Sequence, residues 1–532
     1  MVLGVTQASP SSDKSSWPAW LVALLLLAWL ACTAGLRPLA VPDEGRYAGV
    51  AWEMIRSGDW LTPTLNGLPF FHKPPLFYWL TALSIKAFGL TLWAARVASV
   101  CGALAGAMAL YVLARRWAGS GLAVWSALVL VTQPFWFGGA QYANLDMLVA
   151  GSISVTIALA AHAVLAKEAG QAFRLPLYGA YAFAGLGLLA KGLIGLVLPG
   201  AVIVVWLLAS GRWRAVLGLL SLPGLAVLGV VAAPWFVAMQ RLYPDFFHYF
   251  FVYQHFQRFT QTGFNNVHAW WYYLPLIVGL SLPWVPAWMV AVWWPTKASH
   301  VDQAAFGTDA AKRDAGRALR LLMWVWMAVI TVFFSIPASK LPGYVLPALP
   351  PLAYLVAEAL QRRWPHDRAL APRAWTGLAA VLCIGLIGAA VQYDKQSTRS
   401  ALPVLQPLLK QGVPLVYVDG FVYDLPFYLG QPEPIPMISD WADPTLPLHD
   451  NDRKELFDAG EFNPELSRQV LIPKAEWPHW LCTHPRLAVM ASPDVVKHYP
   501  ELGSQPPVMK FKLWSLWVLD RDDLLAKGLH CN

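Results

Sequence analysis

Residues 17–36 read WPAWLVALLLLAWLACTAGL, and residues 37–60 read RPLAVPDEGRYAGVAWEMIRSGDW. The first run is long enough for a helix to cross a hydrocarbon core of about 30 Å. The second brings Asp43, Glu44, Arg46, Glu53, Arg56 and Asp59 directly after it. A short apolar run ending in small residues also fits a secretory leader. Many further apolar runs follow, so Trp17–Leu36 reads as a first span. The change from apolar run to charged loop decides the fold: this chain enters a membrane and places polar chemistry at its surface.

Further apolar runs lie near 92–114, 120–138, 145–166, 176–190, 193–210, 215–238, 272–295, 319–336, 343–361 and 373–392. The 532 residues are 57% hydrophobic and 13% charged, where soluble domains average about 25% charged. A mean hydropathy of +0.47 excludes an ordinary soluble enzyme, a disordered chain, collagen and a disulfide scaffold. The 28 tryptophans suit membrane–water interfaces. The 42 prolines and 39 glycines argue against one bundle of smooth helices. The formal charge of +8 is read as topology and not as nucleic-acid binding, because Lys and Arg gather in cytoplasmic loops.

Basic residues mark alternate connections: Arg115–Arg116, Lys167 and Arg174, Arg212 and Arg214, 297–320 and 362–373. With these inside, the Ser-rich tail 1–16 is cytoplasmic. Loops 37–91 and 239–271 then face outward, with 139–144, 337–342 and everything beyond 392. Pro75–Leu90 fits a helix lying at the outer interface, since a span there would put Arg115 and Arg116 outside. The expected fold is a polytopic α-helical membrane protein of about eleven spans over 17–392. A soluble α/β domain follows over 393–532, with β-like runs at Pro414–Val418 and Lys510–Leu519. No GxxxxGK[ST] or GxGxxG stretch appears, which argues against a nucleotide-driven pump. Cys32, Cys101 and Cys383 lie in apolar runs and read as inert core residues. Cys482 and Cys531 lie in the soluble part, where spacing leaves their pairing open.

Ionisable groups beside spans are costly and mark function. Glu53 and Arg56, three apart on an expected helix Gly45–Ser57, read as a surface ion pair. Asp43 and Glu44 read as cap and dipole partners of that helix. Two acids with Arg46 one turn on exceed what a cap needs. His72-Lys73-Pro74-Pro75 offers a phosphate-binding cation or a snorkelling anchor. The stretch from Phe246 through His255, Arg258 and His268 to Tyr273 reads as an aromatic interfacial belt with polar heads. Asp43, Arg46, Lys73, Asp146, Lys191, Arg258, Lys340 and Tyr344 all map to one side of the membrane. Cations with one or two carboxylates on a lipid-accessible face suit an anionic lipid-phosphate substrate.

The stretches VPDEGRY (41–47), SGDWLTP (57–63) and FHKPPL (71–76) resemble the ArnT/PMT superfamily of GT-C glycosyltransferases. HFQRF (255–259) and SKLPGYVLP (339–347) look most like its aminoarabinose branch. The resemblance covers residues 17–360. It implies a GT-C fold and an inner-membrane enzyme with a periplasmic active site. That enzyme moves 4-amino-4-deoxy-L-arabinose from undecaprenyl phosphate to lipid A or another periplasmic acceptor, with inversion. It implies Asp43 and Asp146 as the acids, and Arg46, Lys73, Lys191, Arg258, Lys340 and Tyr344 around the donor phosphate. His255 matches a position implicated in metal binding. The branch usually carries Glu where this chain has His72, which is itself a zinc ligand type. The resemblance thus offers His72 and His255 as ligands for a divalent metal, zinc, and the change at position 72 leaves its occupancy open. A lipid-phosphate leaving group asks the cations for electrostatic stabilisation. Asp43 serves as general base for a hydroxyl acceptor, or orients one that is already ionised. Two other readings stay open: a transferase acting on another glycan or on protein hydroxyls, and a sugar-lipid transporter. A transporter favours mid-span charges and repeated halves, and neither is evident.

Overall fold

In the computed structural model the described residues are 17–257, 266–293, 310–364, 370–393, 396–448 and 450–531. The chain enters with α1 (Ala19–Ala31) and turns into α2 (Asp43–Ser57). A two-stranded hairpin, β1 (Thr64–Leu65) and β2 (Leu68–Pro69), leads to α3 (Leu76–Phe88). The membrane part continues through α4 (Leu92–Trp117), α5 (Ser120–Val131), α6 (Pro134–Ala140), α7 (Leu145–Glu168), α8 (Arg174–Lys191) and α9 (Ile194–Ala209). Then come α10 (Trp213–Leu219), α11 (Leu222–Leu242), a π-helical stretch His248–Gln257, α12 (Tyr273–Leu280) and α13 (Trp284–Trp293). It closes with α14 (Ala310–Ser335), a 3-10 turn Pro342–Ala348, α15 (Leu349–Arg363) and α16 (Leu370–Tyr393).

Each of the eleven apolar runs is helical, so this is a polytopic membrane protein. Among the described residues six helices are long and apolar enough to cross, or up to eight if each bent pair is one span. The pairs α5–α6 and α12–α13 bend by 68° and 93°. Each break carries a proline, Pro134 or Pro283, whose missing amide hydrogen interrupts the helical ladder. With 13 residues each, α3 and α1 rise about 20 Å, too little to cross, so the expected first span Trp17–Leu36 is helical over only part of its length. Burial ranks the helices: 89% of the apolar window of α7 is buried, against 17% for α16. Helix α7 is thus the hub, and α4 approaches it closely. A Cβ on Gly151 would sit 2.2 Å from the Gly102 carbonyl oxygen, so small residues set this contact, as is usual between membrane helices.

Three sequence readings change. Glu53 does not pair with Arg56 on the surface. It is buried, and its carboxylate accepts from the Asn66 amide (2.7 Å), the Gly67 amide (2.9 Å) and the Thr64 hydroxyl (2.7 Å). Asn66 and Gly67 have φ of 54° and 79°, a left-handed pair suited to a tight hairpin, and Glu53 satisfies its amides. Cys383 is buried, but Cys32 and Cys101 are exposed on the outside of the helix bundle. The aromatic belt is only partly a belt: Trp270 and Trp271 are exposed, while Phe246 and Phe250 are fully buried against Phe71.

Glu44 is the largest departure from a capping role, for it is fully buried together with Arg96 of α4. Arg96 Nε and Nη2 donate to its two oxygens at 2.8 and 3.0 Å, and Arg37 Nη2 lies 2.6 Å away. Glu44 also accepts from the Ala40 and Ala143 amides, each at 2.7 Å. Arg96 donates further to the carbonyls of Ala34, Arg37 and Pro38. Every polar group of the pair that must leave water finds a partner, as burial of charge requires.

The C-terminal part builds a six-stranded sheet from β3 (Leu415–Val418), β4 (Met437–Ser439), β5 (Leu471–Pro473), β6 (Arg486–Ala491), β7 (Met509–Lys510) and β8 (Ser515–Asp520). The strand order is β5-β4-β3-β6-β8-β7. The first four are parallel, and β8 and β7 add antiparallel. The β-like run 510–519 is therefore two strands joined by a turn. Between β4 and β5 lies α17 (Asp452–Glu461). Cys482 and Cys531 form a disulfide with Cα atoms 5.6 Å apart.

Removing one half of the Glu44–Arg96 pair leaves a buried charge, at a cost of about 3–5 kcal/mol. Arg96→Met is expected to lower the unfolding midpoint sharply in detergent thermal melts. Glu44→Met combined with Arg96→Met is expected to recover a large part of the loss. A double variant no better than the single would refute the pairing as the source.

Candidate functional site

The turn into α2 positions Asp43 and Arg46 one helical turn apart on the face away from the Glu44 anchor. Their side chains lie 3.5 Å apart. At the start of α7, the Asn144 side chain accepts from the Asp146 amide at 2.9 Å and caps the helix. Asp146 thereby stands in the first turn of α7, where a carboxylate complements the helix dipole. Helix α8 returns antiparallel and delivers Lys191, its last residue, to the same end. Lys191 Nζ pairs with Asp146 Oδ1 and lies 4.3 Å from the centroid of the Tyr344 ring. Gly343 makes this possible, since a Cβ there would come within 2.3 Å of Asp146 Oδ2.

These groups open on a cavity of about 570 Å³ at the end of the bundle. Asp43, Arg46, His72, Lys73, Asp146, Lys191 and Tyr344 all line it. Lys340 does not, contrary to expectation. It is 2% exposed, and its Nζ donates to the carbonyls of His268 (3.0 Å) and Pro337. Its amide also donates to the Asn266 carbonyl at 2.9 Å, so Lys340 stitches two loops together beneath Tyr344. Arg258 lies outside the described residues, as does the side chain of His255. His72 is packed between Phe70 and Tyr249, with ring centroids 4.4 and 6.1 Å away. Among the described residues no group of three or more His, Cys, Asp or Glu side chains could hold a metal ion. The expected zinc ligands are His72 and His255, and the second of these lies outside that search.

The opposite wall comes from the soluble part, through Asp419, Phe421, Tyr423, Asp452, Glu455 and Trp514. Arg46 reaches across the seam to Glu455 Oε1 at 3.1 Å and lies over the Tyr423 ring, 4.8 Å from its centroid. The Tyr423 hydroxyl donates to Glu455 Oε2 at 2.7 Å. Burial raises the Glu455 pKa, and the Arg46 charge offsets part of the rise. The seam is tight: a Cβ on Gly45 would meet the Asp424 amide nitrogen at 2.7 Å. Asn66 adds a reciprocal pair of hydrogen bonds to the Ile435 backbone, both 2.8 Å.

Sequence reading missed the whole soluble wall. Asn451 does cap α17, accepting from the Lys454 amide at 3.0 Å. Such a cap marks where a helix begins. It does not show that Glu455, on the next turn, faces Arg46 from 409 positions away in the chain.

A family profile described as dolichyl-phosphate-mannose-protein mannosyltransferase matches residues 72–239. An undecaprenyl phosphate-alpha-4-amino-4-deoxy-L-arabinose arabinosyl transferase 2 of Pseudomonas fluorescens is 32% identical over 373 residues, 69% of this chain and 64% of the relative. Arabinosyl transferases so named from Aeromonas hydrophila and Erwinia tasmaniensis are 32% and 33% identical, over 69% and 60% of this chain. These matches span between 55% and 64% of the relatives' length. The crystal structure of ArnT from Cupriavidus metallidurans bound to undecaprenyl phosphate superposes with a TM-score of 0.76 at 27% identity, covering 94% of this chain and 97% of that one. Its apo form gives 0.74 at 26% identity. Fold, one-sided site and likeness together define a membrane protein of the GT-C class. The chain belongs to the ArnT/PMT-like superfamily of GT-C glycosyltransferases. Within it the likeness is to the ArnT branch.

Gly343→Ala is expected to push Asp146 off Lys191 and to cut turnover about a hundredfold, the scale of a 1 Å misplacement, with little change in melting temperature. At the seam, burial lifts the Asp424 carboxyl to about 6, against hydrogen bonds from Thr398 and Ser397 that favour the anion. The folded chain then holds this proton more tightly than the unfolded chain. Its contribution to stability is greatest below pH 4 and is lost as pH rises toward 6, by about 3 kcal/mol. Melting curves between pH 4 and 7 should show a smaller decline for Asp424→Asn than for the parent; equal slopes would refute the assignment.

Proposed function

We propose that this protein is a bacterial inner-membrane glycosyltransferase whose site faces the periplasm. It moves 4-amino-4-deoxy-L-arabinose from undecaprenyl phosphate to lipid A. The observation that carries the reading is the cavity shared by Arg46, Lys73, Lys191 and Tyr344 with Asp43 and Asp146 at one end of the bundle. The names of the relatives and the undecaprenyl phosphate bound to the Cupriavidus metallidurans neighbour support the same donor.

In the reaction, the bond between the anomeric carbon and the lipid-phosphate oxygen breaks. Its electron pair stays on that oxygen, so negative charge grows on the departing lipid phosphate. Lys191, held by Asp146 and backed by Tyr344, and Arg46, held by Asp43 and Glu455, are preorganised cations for that charge. Lys73 lines the same space. The acceptor oxygen attacks from the opposite face and configuration inverts. A lipid A phosphate is already ionised and needs no base, so Asp43 orients it. A hydroxyl acceptor would instead require Asp43 as general base. Carboxylates from both parts of the chain outnumber the cations around the cavity: Asp43, Asp146, Asp419, Asp450, Asp452 and Glu455 against Arg46, Lys73 and Lys191. A purely anionic donor would gain little from that surplus; a protonated amino sugar linked to a phosphate is complementary to both signs. Energy comes from the donor, so no nucleotide need reach this face.

Mass spectrometry of lipid A tests the reading, in a strain shown to make the donor. A pentosamine-sized addition is expected with the intact gene and should vanish in the deletion and in Asp43→Ala. Lys191→Ala is expected to lower transfer by about 10²–10³, the scale for losing one preorganised charge-stabilising group. Lipid A that is the same with and without the gene would overturn the acceptor assignment and redirect the search to other glycans or protein hydroxyls.

A further inference from the structure

A second cavity, of about 250 Å³, lies at the other end of the bundle, between the end of α7, the start of α8 and α10. Lys167 stands 21 positions beyond Asp146 on α7, about 32 Å along the helix. The cavity is thus on the opposite side of the membrane from the reaction site. Its wall combines two cations, Lys167 and Arg214, and one acid, Glu168, with Phe173, Leu177, Gly218 and Leu219. Among the described residues neither cation has a carboxylate within ion-pair distance. Glu168, the acid beside them, is taken by Arg212 at 2.9 and 3.2 Å. Lys167 Nζ and the Arg214 guanidinium instead lie over the rings of Phe173 and Trp213, each 5.2 Å from the centroid. The Gly218 position leaves room, for a Cβ there would approach Lys167 Nζ to 3.1 Å.

The surroundings are those of a bilayer surface. Helix α10 buries none of its residues. Trp213, Leu217, Leu220 and Leu222 are all more than half exposed. Such a segment lies in the interface with its apolar side toward acyl chains. Two uncompensated cations above apolar walls fit a phosphate carrying hydrocarbon better than a free anion. We propose that this cavity binds the headgroup of an anionic phospholipid of the leaflet opposite the reaction site. Lys167 and Arg214 hold the phosphate, and acyl chains run along α10 and the start of α11.

Native mass spectrometry of the full chain, exchanged into micelles doped with phosphatidylglycerol or phosphatidylethanolamine, tests this. The parent is expected to retain phosphatidylglycerol about thirtyfold more than phosphatidylethanolamine, the scale of two basic residues at a membrane surface. Lys167→Gln with Arg214→Gln should bring the two lipids within twofold of each other. Lys167→Arg with Arg214→Lys, which keeps both charges, should restore the preference and so separate charge loss from misfolding. Arg174→Gln, an exposed cation of the same face outside the cavity, should leave it unchanged. The proposal is overturned if the double glutamine variant keeps the preference or if Arg174→Gln abolishes it equally. Displacement of the lipid by millimolar inorganic phosphate would overturn it as well, since the site would then be one for a free anion.

Discussion

The buried contact between Glu44 and Arg96 is the constraint on which the rest of the site depends. A carboxylate and a guanidinium removed from water are tolerable only when each remaining lone pair and proton is satisfied. Here that condition recruits Arg37, the amides of Ala40 and Ala143 and the carbonyls of Ala34, Arg37 and Pro38. The first loop, α4 and the link before α7 are thereby joined at one point. Asp43 is the neighbour of Glu44, and Asn144 and Asp146 follow Ala143, so the two acids that the helical bundle brings to the cavity are placed by the same contact.

The soluble part completes the cavity. Gly45 lets the backbone at Tyr423–Asp424 approach α2, and that approach brings Glu455 and Tyr423 to Arg46. A cation held between Asp43 on one side and Glu455 on the other keeps its place without substrate. Lys191 is held in the same manner by Asp146 and Tyr344. Preorganised charge of this kind requires no rearrangement when a phosphate becomes more negative. The aromatic cluster around Phe71, which includes Phe462 from the soluble part at 4.9 Å, secures the loop that carries His72 and Lys73.

Legibility in the sequence followed the range of the interactions. Asp43, Arg46, Lys73, Asp146 and Lys191 were visible because charge beside an apolar run is locally improbable, Tyr344 because it follows Lys340 in the stretch SKLPGY, and all six line one cavity. Lys340 carried the same signal for another reason: its ammonium satisfies loop carbonyls. The reading of Glu53 failed because spacing of three on a helix suggests Arg56 as partner, while the hairpin turn ahead offered better donors. The two bent helix pairs had prolines in plain view, but an apolar run shows only that a segment is buried in lipid or protein, not that it is straight.

Hydrophobic periodicity, basic loops and turn residues act over a few positions. On those grounds the membrane class, the gathering of charges at one end of the bundle, the C-terminal sheet and most of the cationic site are legible from local stretches alone. Which acid meets which base was decided only by the tertiary structure. Glu44 and Arg96 are 52 positions apart, and Arg46 and Glu455 are 409 apart. Such pairs are chosen by burial and by close approaches at glycine: Gly45 to the backbone at Tyr423–Asp424, Gly102 to α7 and Gly343 to the Asp146 side chain. The same holds for the empty space between two cations at the far end of α7. A cavity is a property of how surfaces fail to meet, and no local stretch of sequence encodes it.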